Sequence, residues 1–143
     1  DSDQEFGKKW EAWLKVQNDQ DQQVSSLVIH DREIALRGLG FNAVWFDFKA
    51  LCMGPRQAKD YQEIAMRFAT VFISELPMLG DQQKDAVARF IILIDIFYEQ
   101  QIRLFIQAEI EIEQLYAGQH YHKKFKRTAS RLQAMQTEGY IFP

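Results

Sequence analysis

Two short unbroken apolar runs, Val71-Phe72-Ile73 and Leu104-Phe105-Ile106, flank a long apolar segment from Ala86 to Tyr98. This order constrains the fold more than any other feature. Each run is too short for a helix and lacks polar alternation, which predicts strands buried on both faces. Between them Phe90, Ile91, Ile94, Phe97 and Tyr98 recur at helical spacing. Strand, helix and strand in that order make a βαβ unit, with parallel strands and a right-handed crossover. Pro77 and Gly80 punctuate the first junction, and Asp81 can cap the helix. The expected fold class is α/β with a parallel βαβ core.

The flanking segments add a hairpin region and further helices. Phe6, Trp10, Trp13 and Leu14 form the apolar stripe of a first helix, with Ser2 and Glu5 at capping-box spacing. The polar run from Gln17 to Gln23 has nothing to bury and reads as a solvated loop. Alternation from Leu27 to His30, and again from Glu33 to Arg37, predicts two strands around a tight turn at Asp31-Arg32. Gly38 and Gly40 mark a bend. Ala43 to Phe48 is then a strand with Val44, Phe46 and Phe48 on one face and Trp45 on the other. After Met53-Gly54-Pro55, Tyr61, Ile64, Ala65 and Phe68 form a helical stripe, with Asp60 and Glu63 at capping-box spacing. Glu111 to Tyr116 and Lys124 to Gln136 read as two more helices separated by Gly118. There is no internal repeat and no long linker, so residues 1–143 are expected to form a single domain.

Composition removes several function classes. With 47% apolar and 26% charged residues the chain is of globular type, and no apolar run approaches the ~20 residues of a membrane span. The acidic start, Asp1 to Phe6, is unlike a signal peptide. A net charge of −3 gives no drive toward nucleic acid or anionic lipid. Cys52 has no second cysteine to pair with, which suits a reducing compartment, and the cytoplasm is the expected location.

No catalytic motif is complete. Gly38-Leu39-Gly40 is followed by Phe41-Asn42, and no Lys-Ser or Lys-Thr pair occurs, so the chain alone has no loop to wrap a phosphate. No serine sits in a nucleophile elbow. Glu75 and Glu109 follow the two apolar runs, where a magnesium-binding acid of a nucleotide hydrolase stands, but neither belongs to an Asp-Glu pair. His120, His122 and Cys52 are too few for a metal site and read as surface and core residues. No catalytic or metal-ligating residue is therefore assigned. The segment Lys123 to Arg131 is distinctive: Lys123, Lys124, Lys126, Arg127 and Arg131 crowd into an otherwise acidic chain. It can be a solvated helix face, a phosphate contact, or a docking surface for an acidic partner. Arg127 and Arg131, four apart, share a helical face, and arginine's planar fork suits phosphate.

Several motifs carry a family resemblance. Leu51-Cys52, Pro55-Arg56, Asp60-Tyr61, Ile64-Ala65, Phe68, Thr70-Val71 and Pro77 resemble the carboxyl-terminal half of the ZapE family of AAA-type ATPases. So do Arg89-Phe90-Ile91, Leu93-Ile94-Asp95 and Tyr98. The closing stretch is the most specific: Phe125, Arg127-Thr128-Ala129-Ser130-Arg131-Leu132, Met135-Gln136 and Tyr140. The resemblance implies part of a P-loop NTPase fold whose phosphate loop and magnesium-binding acid lie in an amino-terminal half outside this sequence. It implies ATP and magnesium as cofactors of the intact protein, self-association, and a protein client. That client is FtsZ in the bacterial cell-division branch, which is the expected one; the mitochondrial branch would place the protein in the matrix. Within this reading Arg89, Arg127 and Arg131 are the candidates for nucleotide-phosphate or inter-subunit contact. The chain departs from the family at Ala88, where a double arginine is common, and at Ala134 and Gly139, where glutamates are usual. The alternative is a stand-alone interaction module that binds an acidic protein partner through the basic helix 123–131.

Overall fold

The computed structural model describes residues 2–136; Asp1, Gly139 and Tyr140 lie outside them. The elements run α1 (Ser2–Val16), β1 (Ser26–Ile29), β2 (Arg32–Ala35), β3 (Gly38–Leu39), β4 (Ala43–Asp47) and α2 (Phe48–Cys52). There follow α3 (Ala58–Arg67), β5 (Thr70–Leu76), α4 (Lys84–Glu99), β6 (Arg103–Ala108) and α5 (His122–Ala134). β1 and β2 form their own antiparallel pair, while the main sheet has the order β3-β4-β5-β6. Its last three strands are parallel, with Val71 opposite Leu104, Phe72 opposite Phe105 and Ile73 opposite Ile106. The α/β class and the βαβ unit are thus as the apolar runs predict, with α4 as the crossover.

Period-two alternation divides the core into two faces. Val44, Phe46, Val71, Ile73 and Leu104 point toward α2 to α5 and the hairpin, and that side holds most of the buried apolar residues. Ala43, Trp45 and Phe72 point the other way and meet only α1, through Phe6, Trp10 and Leu14. The second face is aromatic: Trp10 meets Phe72 edge-on at 5.1 Å between centroids, and Phe6 meets Trp45 edge-on at 5.7 Å. Edge-to-face geometry brings the positive ring edge to the negative ring face. Gly38 is required beneath this helix, because a Cβ there would lie 2.7 Å from the Trp10 ring.

Several expectations need correction. β6 is not buried on both faces. It is an edge strand, and every one of its residues except Leu104 is half-exposed. Phe48 leaves the strand and opens α2, a short helix with no periodic signature in the sequence. Gly38-Leu39 is an edge strand rather than a simple bend, since Gly38 and Leu39 pair with Trp45 and Val44. The hairpin turns at His30-Asp31, one residue before the position expected; both have positive φ, at 49° and 65°, as a type I′ turn demands. Asp60 is not an N-cap but lies inside α3, where its carboxylate accepts the Gln57 backbone N–H at 2.7 Å. Glu63 instead pairs with Arg67 at 2.7 Å. Glu111 to Tyr116 contains only a single 3₁₀ turn, Ile112–Gln114. The reason is competition for its backbone: the Leu115 carbonyl accepts the Leu79 N–H, and the Leu79 carbonyl accepts the Ala117 N–H.

The polar loop after α1 is also more than solvated chain. The Asp19 carboxylate accepts backbone N–H bonds from Gln20, Phe41 and Asn42, and the Asp21 carboxylate accepts the Trp10 indole N–H at 3.0 Å. Among the described residues no helix is long and apolar enough to cross a membrane.

Candidate functional site

The basic segment folds as α5 because Phe125, Thr128 and Leu132 recur on one face and bury against the core. Phe125 stacks between Phe90 and Tyr116, at 6.2 and 5.0 Å between centroids. Lys123 and Lys124 fall in the first helical turn, not ahead of it, and together with Lys126 and Arg127 they are exposed. No acid stands in that turn, so its lysines oppose the positive end of the helix dipole.

Arg131 faces α4. Its Nη1 donates to Asp95 Oδ1 at 2.6 Å, its Nη2 lies 4.0 Å from Glu99 Oε1, and its guanidinium sits 4.8 Å above the Tyr98 ring. The side chain is only 16% exposed, so this clamp works in a less screened setting than a surface pair. Arg127, one turn earlier, is exposed and has no ion pair among the described residues.

Arg89 occupies a different place. Its Nη1 donates to the Cys52 carbonyl at 3.2 Å, at the end of α2. The neighbouring carbonyls are served likewise: Arg56 Nε donates to Ala50 at 3.0 Å and the Tyr61 hydroxyl to Leu51 at 2.7 Å. A five-residue helix buried at its carboxyl end needs such donors for carbonyls that have no helical partner. Burial pushes the Cys52 thiol up to about 12 and the Tyr61 hydroxyl well above its ordinary value. Both groups stay neutral. The three candidate arginines therefore share no partner: Arg89 holds α2, Arg131 holds α5 to α4, and Arg127 is open.

At the carboxyl ends of β5 and β6 lies a cleft of about 460 Å³, bordered by Asp3, Glu75, Gln107 and Glu109. The ladder shifts register between Ile73 and Leu76, and Glu75 adopts a positive φ of 57°. Its backbone N–H donates to the Gln107 side chain, which in turn donates to the Ser2 hydroxyl. Among the described residues no three His, Cys, Asp or Glu side chains are grouped to hold a metal ion, so no magnesium ligand is assigned here. His120 and His122 are exposed while Cys52 is buried.

Two carboxylates matter in ways the sequence did not signal. Asp81 does not cap α4; it gathers the chain ahead of α5, accepting the Gln119 and His120 N–H groups and the Tyr116 hydroxyl. The Gln119 and His120 bonds, then that of Tyr116, hold its carboxyl below the ordinary value. Asp47 accepts the Ser74 hydroxyl and Arg37 Nη1, Arg37 Nη2 reaches Asp3, and Ser74 accepts the Trp45 indole N–H at 2.9 Å. This chain of bonds ties the first turn of α1 to the ends of β4 and β5. Only three-dimensional proximity reveals either cluster, because the partners lie 10 to 39 residues apart.

With this geometry in place, comparison with known proteins is informative. Residues 1–142 match the model of the AFG1-like ATPases. The chain is 31% identical over 129 residues to the cell division protein ZapE of Escherichia coli K12, covering 90% of this chain and 34% of that protein. It is 31% identical over 146 residues to the lactation elevated protein 1 homolog B of Danio rerio, covering 80% of this chain and 29% of that protein. The chain thus spans about a third of the length of these relatives. No solved structure matches it.

Proposed function

The chain belongs to the AFG1-like ATPase family, and on that premise we propose that it is the carboxyl-terminal part of an AAA-type ATPase acting in cell division. The intact protein uses ATP and magnesium, whose phosphate loop and magnesium ligands are supplied from outside this sequence. It self-associates in the cytoplasm and acts on a protein client, with FtsZ the client the resemblance suggests. The observation that carries the site assignment is the contrast within α5. Arg131 is clamped to Asp95, so the helix is fixed, and Arg127 is exposed on it with no ion pair among the described residues. An anchored helix bearing an open arginine suits contact with phosphate or with a neighbouring subunit, where charge develops during phosphoryl transfer. A guanidinium has five N–H donors, so Arg89 and Arg131 retain donors for the same task.

The test is turnover in the full-length protein. Arg127→Ala is expected to lower ATP turnover by about 10³-fold, as loss of an arginine finger does, with the melting temperature unchanged. Normal turnover would defeat the assignment. A second reading is favoured by the exposure of Lys123, Lys124, Lys126 and Arg127 together. There the basic face docks an acidic protein and contributes nothing to hydrolysis. Reversing Lys123, Lys124 and Lys126 to glutamate then abolishes client binding at low salt and leaves turnover intact.

A further inference from the structure

The two faces of the sheet are unequally covered. One is packed by α2 to α5, whereas the aromatic face has α1 alone. An α-helix is about 10 Å wide and strands are about 4.8 Å apart, so one helix spans roughly two strands of four. α1 lies over β5 and β6, and the edge strand β6 is still left half-exposed beside it. Phe105 is half-exposed there although it sits mid-strand, and it meets the equally half-exposed Trp13 edge-on at 5.2 Å. Parallel strands are normally covered on both faces, so a half-exposed aromatic residue in the middle of one marks incomplete cover.

The gap continues past the end of α1. A pocket of about 160 Å³ opens between Trp13 and Phe41, with Asn42 and Thr70 in its wall. Trp13, Phe41 and Ala43 form its apolar side, Gln17, Asn18 and Asp19 its polar one, and its volume is that of a single ring-sized side chain. Phe41, in its wall, is 78% exposed, and Val16, one turn beyond Trp13 on α1, is 76% exposed. Phe41 is not simply a mobile loop residue: its own N–H is fixed by the Asp19 carboxylate at 2.9 Å. That carboxylate is turned to three backbone donors, and two cations lie over the rings of the aromatic strip. Lys9 Nζ lies 5.8 Å above Phe105, and the Arg103 guanidinium lies 4.7 Å above Trp13.

We propose that this strip, from Phe41 through Trp13 to Phe105, is the docking surface for the remainder of the full-length polypeptide. The occupant is an amphipathic segment that inserts one apolar side chain between Trp13 and Phe41 and sets carboxylates against Lys9 and Arg103. The inference rests on the reading that this chain is part of a longer ATPase, whose relatives carry about two thirds of their length outside the matched region. The missing helix of the layer is then supplied from that length.

Thiol accessibility in the full-length protein tests this. Within this chain Cys52 is the only cysteine; it is buried and its thiol is pushed up to about 12, so it is a silent background for labelling. Val16, Phe41 and Met66 are 76%, 78% and 79% exposed, which makes Met66, on α3 at the opposite layer, a matched control. Any cysteines elsewhere in the full-length protein are first replaced. With N-ethylmaleimide, Val16→Cys and Phe41→Cys are expected to react at least tenfold more slowly than Met66→Cys. Equal rates overturn the proposal. Protection that vanishes on dilution means that a second copy covers the strip, and overturns it too. Adding Lys9→Glu and Arg103→Glu is expected to raise the Val16→Cys rate toward that of Met66→Cys; an unchanged rate overturns the acidic occupant. ATP turnover of the wild type, measured separately, reports on the ATPase reading and is not needed for this result.

Discussion

Arg127 and Arg131 carry the same charge four residues apart, yet their surroundings assign them different work. Arg131→Ala removes the clamp between α5 and α4 and leaves Asp95 without its partner. The expected loss is about 1–3 kcal/mol, between the values of exposed and buried pairs. Arg127→Ala costs under about half a kcal/mol, as for other exposed positions. Paired urea titrations of the two variants give the contrast directly, and equal midpoints would remove the clamp from the account. Asp81 makes a second residue-scale prediction. Its folded carboxyl sits below the ordinary aspartate value of about 3.9, so its contribution is fully present above that value and is lost as pH falls through the lower folded one. Wild type should therefore lose stability below about pH 4 more steeply than Asp81→Ala, whose bonds are already gone. Denaturant midpoints from pH 2 to 6 would read this out, and parallel curves would contradict it. Gly118→Ala attacks the same cluster sterically, because its Cβ would lie 2.5 Å from Asp81 Oδ1.

At the scale of elements, legibility followed periodicity. α1, α3, α4 and α5 were visible because each helix is ten or more residues long and repeats apolar residues at helical spacing. β5 and β6 were visible as unbroken apolar runs. α2 has five residues, too few for a period, and its stability comes from Arg56, Tyr61 and Arg89 donating to its last carbonyls. The false helix after Glu109 failed for the converse reason: the Leu79 backbone competes for its hydrogen bonds, and propensity does not record such a partner. Of the candidate site, residue types and their crowding on α5 were legible, but the sorting into anchored and open arginines was not. It depends on Asp95, which a linear reading places on another element. Tyr61 links these observations to energetics. Tyr61→Phe deletes only the hydroxyl that serves the Leu51 carbonyl, so it should cost about 1–3 kcal/mol by leaving a buried acceptor unsatisfied. Loss of less than half a kcal/mol in thermal unfolding would mean that α2 is held by packing alone.

For the whole molecule, the unequal layers dominate. Removing residues 1–17 strips α1, the only helix on the aromatic face among the described residues, and exposes Trp45 and Phe72, which are buried with it in place. The truncated protein is expected to bind a hydrophobic dye and to self-associate, since contiguous apolar patches of that kind drive both. A dye-negative monomer would mean that the face has another cover. A segment that matches about a third of each relative thus has its own sheet, with helices packed on both faces.

The sheet order β3-β4-β5-β6 follows the order of the chain, and this has a consequence for biogenesis. Each strand leaving the ribosome finds its neighbour already made, so the sheet can be laid down stepwise without waiting for a distant segment. Growth always proceeds at a single margin, and the newest strand is always the unprotected one. Once translation passes Ala108 the newest margin of these four strands is β6, and Gln136, just past α5, donates its side-chain N–H to the Leu104 carbonyl there. A ribosome-arrest series should show protease resistance rising in steps as β4, β5 and β6 emerge.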